Sequence, residues 1–227
     1  MAEDQKPGGS SSLAESAYDS PYSRSGAPAP HPNGDPYAPL RAKALSILEA
    51  MGYDPETMIE RGVLWADDQD PFGHVKQSKF MHFLGLGFHR TMESCHGFLT
   101  DQEYDDMTHG KTVIPAIRRV ELDIRRQVKY PDSLIIANRQ ERMEPTRYYT
   151  TTSVFSLKQQ TIVAEVQGYI TFIDAKTGRA TDIRTTQHGG WPKVYEGFLK
   201  KVERAQILKE KWEKEESIAK LKKLSKL

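Results

Sequence analysis

Cysteine is almost missing from this chain of 227 residues: Cys95 stands alone, so no disulfide can close within the sequence and a reducing compartment suits it. Charge of one sign is also lacking. Thirty-two Lys and Arg face thirty-one Asp and Glu, a formal net charge of +1, and no global field calls for nucleic acid as a partner. Long apolar runs are absent. Nothing approaches the ~20 consecutive residues that a membrane-spanning helix needs. The opening Met1-Ala2-Glu3-Asp4 has neither the basic nor the apolar segment of a secretory signal, so none is expected. Mean hydropathy is -0.64, low for a chain folded throughout, which predicts that part of it stays unfolded.

That part is predicted to be residues 1–36, rich in Ser, Gly, Pro and Asp and poor in aliphatic residues. Such a segment cannot bury enough apolar surface to offset its ordering entropy. A domain is expected over 37–190, and a helix over 191–227. Within the domain, Leu40, Ala44, Ile47, Leu48 and Met51 recur at helical spacing, with Gly52 as a stop. Thr57 to Trp65 reads as a first strand. Phe80, Phe83, Leu84, Gly87, Phe88, Thr91 and Cys95 form one stripe of a helix from Gln77 to Cys95. Gly85 and Gly87 inside it each cost ~1 kcal/mol against Ala, which close approach of a sheet would offset. Thr100 to Lys111 reads as a polar loop.

The period then changes. From Val120 to Tyr130 apolar and charged residues alternate, as in a strand with one wet face. Leu134–Arg142, Arg147–Leu157 and Ile162–Ile173 read as three further strands. From Trp191 the pattern is helical again, with Phe198, Val202, Ala205, Leu208 and Trp212 as a packing stripe on a charged helix. This order predicts an α+β domain with a helix packed on an antiparallel sheet.

Chemistry concentrates at Asp70-Pro71-Phe72-Gly73-His74-Val75, a turn between the first strand and the most apolar helix. Amides at a helix start point outward unpaired and can hold an oxyanion, with a carboxylate close by. An acid before a helix can equally serve as a cap worth ~1 kcal/mol, with His74 simply packing at the turn. Asp67 and Asp68 are expected to be solvated loop acids. His82, His89 and His96 recur every seven residues, ~10 Å apart along a helix, too far for one metal ion. Cys95 reads as a small buried residue. The terminal Ser225-Lys226-Leu227 matches a peroxisomal import signal, so a peroxisomal location and an import receptor are expected.

The strand, the Asp-x-x-Gly-His-Val turn, the long helix and the four-stranded meander together resemble the hotdog fold, over roughly Met58 to Arg184. The segment from Trp65 to Val75 is similar to the hydroxybenzoyl-CoA thioesterase branch and its fungal thioesterase-like relatives. Their usual form is an aromatic, a small residue, Asp, any residue, Asp, two variable residues and Gly-His-Val-Asn-Asn, followed by an aromatic. Tyr130-Pro131-Asp132 and Phe172 to Arg179 also resemble segments of that family. This chain has one extra residue between Trp65 and Asp68, and Lys76-Gln77 in place of Asn-Asn. It has Phe80 in place of Tyr, and Leu84-Gly85-Leu86-Gly87 where an acid is often found.

The resemblance implies an antiparallel sheet wrapped around a long central helix, a homodimer or higher assembly with sites at the subunit interface, and hydrolysis of acyl-CoA without a cofactor or metal. Asp70 falls on the catalytic aspartate, as base or nucleophile, and His74 on the usual histidine. Gly73, Val75, Gln77 and Phe80 fall beside the substrate. A second reading keeps the fold: Asp68 to His74 also resembles the Asp-x-Asn-Pro-x-His segment of hotdog enoyl-CoA hydratases. A third is a non-catalytic acyl-CoA or protein-binding hotdog, which Lys76 and Phe80 favour.

Overall fold

The computed structural model describes residue 35 and residues 37–224, with side chains as far as Ala219. The expected unfolded tail and the terminal tripeptide lie outside the described residues, apart from Asp35. Helix α1 spans Ala38–Ala50, with Pro39 in its first turn where a missing N–H is harmless. Strand β1 is only Ile59–Gly62. The strand expected over Thr57–Trp65 is shorter because Asp54 caps a 3-10 turn ending at Thr57, and because Trp65–Asp68 forms a short helix, α2. The central helix α3 spans Gln77–Glu93 and tightens into a 3-10 turn, Ser94–Gly97, that carries Cys95.

The expected loop at Thr100–Lys111 is instead a helix, α4, over Asp101–Thr108. Thr100 accepts the Glu103 amide while the Glu103 carboxylate accepts the Thr100 amide, a capping box that nucleates a helix with only Met107 buried. Strand β2 is Val113–Ile124, displaced toward the N-terminus from the expected Val120–Tyr130. It carries Pro115, which an edge strand tolerates because one side of its backbone has no ladder to complete. Strands β3 (Ser133–Glu144), β4 (Arg147–Ser156) and β5 (Thr161–Asp174) lie close to expectation. Helix α5 runs from Trp191 to Leu224.

The sheet is antiparallel throughout, in the order β1-β3-β4-β5-β2. Strand side chains alternate between faces. Leu134 and Ile136 of β3 meet Phe80, Phe83 and Leu84 of α3 in one core. Ile135 and Ala137 pack with Ala44 and Leu48 of α1 on the other face. Being covered on both sides explains why the start of β3, Leu134 to Ala137, is a continuous apolar run. A further core joins Trp191, Val194, Phe198 and Val202 of α5 to Met107, Tyr148 and Phe172, so the first half of α5 is built into the domain. The curled sheet around α3 is the hotdog arrangement, and no helix among the described residues is long and apolar enough to cross a membrane.

Gly87 explains how closely sheet and helix meet. A Cβ there would lie 2.8 Å from Thr152 Cγ2 and 3.0 Å from Ile136 Cγ2. Gly85 differs from expectation: a Cβ at that position meets nothing within 4 Å, so sheet packing does not require this glycine.

Candidate active site

The turn before α3 is closed by Asp70 itself. One carboxylate oxygen, Oδ1, accepts the amides of Phe72 and His74, both at 2.9 Å. The Asp70 amide donates to the His74 carbonyl at 2.7 Å, and the Gly73 amide to the Asp70 carbonyl at 3.0 Å. Gly73 supplies the positive φ, +75°, that so tight a loop demands. The second oxygen, Oδ2, lies 3.9 Å from His74 Nδ1, and both side chains are partly open to solvent. Asp70 caps its own turn and not the helix: the N-cap of α3 is Lys76, which makes no side-chain cap.

Asp68 corrects the expectation of a solvated loop acid. It is fully buried. Arg61 of β1 grips it with both terminal nitrogens, at 3.0 and 3.2 Å, the Leu64 amide donates to it at 2.8 Å, and Lys79 Nζ lies 3.4 Å away. The Arg61 guanidinium also lies over the Phe83 ring, 4.5 Å from its centre. These contacts bind β1, α2 and α3 together just before the Asp70 turn. Sequence reasoning missed this anchor because its charge partner sits on another element.

Amide availability also differs from expectation. Among the amides from Gly73 to Lys76, Gly73 and His74 bond within the turn, Val75 donates to the Val128 carbonyl at 2.8 Å, and Lys76 to the Asp68 carbonyl at 2.8 Å. Gly73 and Val75 thus shape the turn with their backbones, and Val75 is buried in the core. The first-turn amides of Gln77 and Ser78 are the ones that helix geometry leaves for an oxyanion. Phe80 is 1% exposed and meets Phe83 edge to face, with ring centres 6.0 Å apart. It is a core residue in this chain.

A groove runs beside α3, between Met81, Leu84 and Phe88 on the helix and Ile117, Val120 and Val166 on the sheet. It holds about 560 Å³, counting the part open to solvent. Its lining begins at Met81, about one turn into the helix that starts at Gln77. Asp70 and His74 are not part of the lining.

The remaining candidates are placed apart from the turn. His96 stacks on Tyr104 with ring centres 4.6 Å apart and pairs with Asp101 at 2.8 Å. Cys95 is sealed in the core, and burial pushes its thiol up to about 12, so it is no nucleophile at neutral pH.

A curled five-stranded antiparallel sheet around one helix, with an acid-bearing turn at the helix start, defines a hotdog domain of the thioesterase kind. The sequence profile of the thioesterase-like superfamily matches residues 63–198, more than half of the chain, and the protein belongs to that superfamily. Among solved structures, the chain is similar to a DHNA-CoA thioesterase from Staphylococcus aureus, at 13% identity and TM-score 0.51, over 63% of this chain and 88% of that one. It is also similar to a second Staphylococcus aureus protein, solved in complex with CoA, at 10% identity and TM-score 0.52, over 64% and 82% of the two chains. At such identities the likeness is one of fold. A search of curated proteins by sequence returns no match.

Proposed function

We propose that the protein hydrolyses an acyl-CoA thioester to the free acid and CoA. The observation that carries this reading is the Asp70 carboxylate: one oxygen is fixed by two amides and the other is left toward His74, at the start of the central helix of a thioesterase-like domain. A thioester carbonyl requires polarisation and an attacking oxygen. The Gln77 and Ser78 amides and the dipole of α3 supply the first. Asp70 supplies the second, as general base on water or as the nucleophile that forms an anhydride. His74 orients the carboxylate or the water.

The hydratase reading would use Asp68, which is buried under Arg61 and unable to reach a substrate. The binding-only reading is tested together with catalysis. Asparagine at position 70 keeps an oxygen for both turn amides and removes the charge. Release of free thiol from a panel of acyl-CoAs is expected to fall at least ~100-fold in Asp70→Asn, with little change in melting temperature. Turnover near the wild-type rate in that variant would overturn the assignment. Binding of CoA thioesters without thiol release from the unaltered protein would favour the binding reading.

The expected setting is a homodimer in the peroxisome, delivered by the import receptor that reads Ser225-Lys226-Leu227. A fluorescent protein fused at the N-terminus should give punctate signal that becomes diffuse when the tripeptide is deleted. Unchanged puncta after deletion would refute this location signal.

A further inference from the structure

Three large aromatic side chains stand uncovered around the Asp70 turn. Trp65 is 70% exposed, Phe72 80% and Tyr130 49%. Gln69 gathers them: its Nε2 donates to the Trp65 carbonyl at 3.1 Å, and its Oε1 accepts the Tyr130 amide at 3.3 Å. Phe72 lies at the crest of the turn, its amide fixed on Asp70 Oδ1. Apolar residues exposed singly need no explanation, but a group of them marks a surface that meets another molecule or a membrane.

Cations border the group. Residues 125–130 run beside the turn, because the Val75 amide donates to the Val128 carbonyl. The β4–β5 hairpin adjoins them, because Gln159 Nε2 donates to the Gln127 carbonyl at 2.8 Å. Arg126, Lys129 and Lys158 are exposed on these segments, and among the described residues none of them makes an ion pair. The acids at this end are mostly engaged. Asp68 and Asp132 are buried, Asp35 is paired with Arg41, and Asp70 accepts two amides. Asp67 is exposed, so the surplus of free charge is positive.

The residue types point to a bilayer. Trp and Tyr, each with an apolar ring and a polar tip, settle at the level of lipid headgroups. Lys and Arg beside them meet the negative charge of anionic lipids. A protein partner would have to offer a pocket for Phe72, as anchors at protein interfaces require. A bilayer needs no matching shape. No described helix can cross a membrane, so the contact is one of docking.

We propose that this end of the domain docks on an anionic lipid surface. Phe72 inserts below the headgroups, Trp65 and Tyr130 sit at their level, and Arg126, Lys129 and Lys158 meet lipid phosphates. Docking sets the Asp70 turn against the membrane. The surface does not depend on whether Asp70 hydrolyses a thioester, and binding alone tests it.

The test is co-sedimentation of the full-length protein with vesicles of phosphatidylcholine alone, or of phosphatidylcholine and phosphatidylserine in equal parts. Binding should be at least roughly tenfold tighter to the vesicles with phosphatidylserine and should weaken as salt is raised. Phe72→Ser should weaken it at least roughly tenfold, as loss of one buried aromatic ring does. Reversing two charges together, Arg126→Glu with Lys129→Glu, should weaken binding to phosphatidylserine vesicles by roughly tenfold or more. Tryptophan emission should shift to shorter wavelength on these vesicles, and the shift should be lost in Trp65→Phe. Ile218→Ser, on the exposed second half of α5, should bind as the unaltered protein does. Absence of binding to either vesicle would overturn the proposal. Binding that survives Phe72→Ser but is lost in Ile218→Ser would overturn it in favour of a lipid contact on α5. Binding that survives Phe72→Ser but is lost on charge reversal would overturn it in favour of an acidic protein surface as the partner. A lower mass of Phe72→Ser in light scattering, with no vesicle binding by the unaltered protein, would overturn it in favour of a second copy of the chain.

Discussion

Asp68 and Asp70 stand two residues apart in opposite surroundings, and their neighbours decide their roles. Asp68 is sealed against Arg61 and the Leu64 amide, with Lys79 close by. Removing one member of such a buried pair leaves an uncompensated charge, so Arg61→Ala should cost ~3–5 kcal/mol of stability, read by denaturant unfolding. A cost below ~1 kcal/mol, as for a surface ion pair, would show that the pair does not anchor the turn. The two glycines of α3 make a matched contrast. Gly85→Ala adds a Cβ into open space and should raise stability by up to ~1 kcal/mol. Gly87→Ala drives a Cβ into Thr152 and Ile136 and should destabilise by ~1–3 kcal/mol, as overpacking does. Equal thermal shifts in the two variants would contradict the difference in their surroundings.

The elements differ in how openly the sequence declares them. Helix α3 and strands β3 to β5 are legible because their burial is written as periodicity. Helix α4 escapes that reading since only Met107 is buried on it, although the Thr100-to-Glu103 capping box was present as a local signal. Thr100→Ala should cost ~1 kcal/mol, visible as a lower melting temperature, because the Glu103 amide loses its partner. The Asp70 turn was legible as a motif. The Asp68 anchor and the groove were not, since each depends on elements that meet only in the fold. The seam between β3 and α5 carries a pH signal. Burial raises the Glu141 carboxyl, but the Arg139 guanidinium and a hydrogen bond from Thr151 outweigh it and hold the group below its ordinary 4.5. A depressed carboxyl stabilises above its unfolded value and loses that contribution as pH falls through the folded one. Melting temperature should therefore drop below about pH 4.5 less steeply in Glu141→Gln than in the unaltered protein. Parallel curves would remove Glu141 from that account.

At the scale of the whole molecule, β2 is the exposed edge of the sheet. It pairs with β5 on one side, and its apolar residues Ile114, Ile117, Val120 and Ile124 are 36–48% exposed. A long apolar edge is a template for further pairing, and soluble proteins cover, charge or pair such edges. Arg118, Arg119, Glu121 and Asp123 place both signs of charge along this one, which suits a two-fold contact where each strand meets a copy of itself in the opposite direction. The groove is bordered by Ile117 and Val120 of the same strand, so a second copy seated there would cover its open side. We therefore expect a dimer through β2. Light scattering of the unaltered protein at micromolar concentration should give twice the chain mass. Val120→Lys should give the single mass with secondary structure retained, because the new charge would be buried at the contact but solvated in the free chain. Thiol release should fall along with the mass if the groove works only when covered. A protein that is monomeric before any substitution would remove the β2 contact, and with it the reason for these four apolar side chains to face solvent.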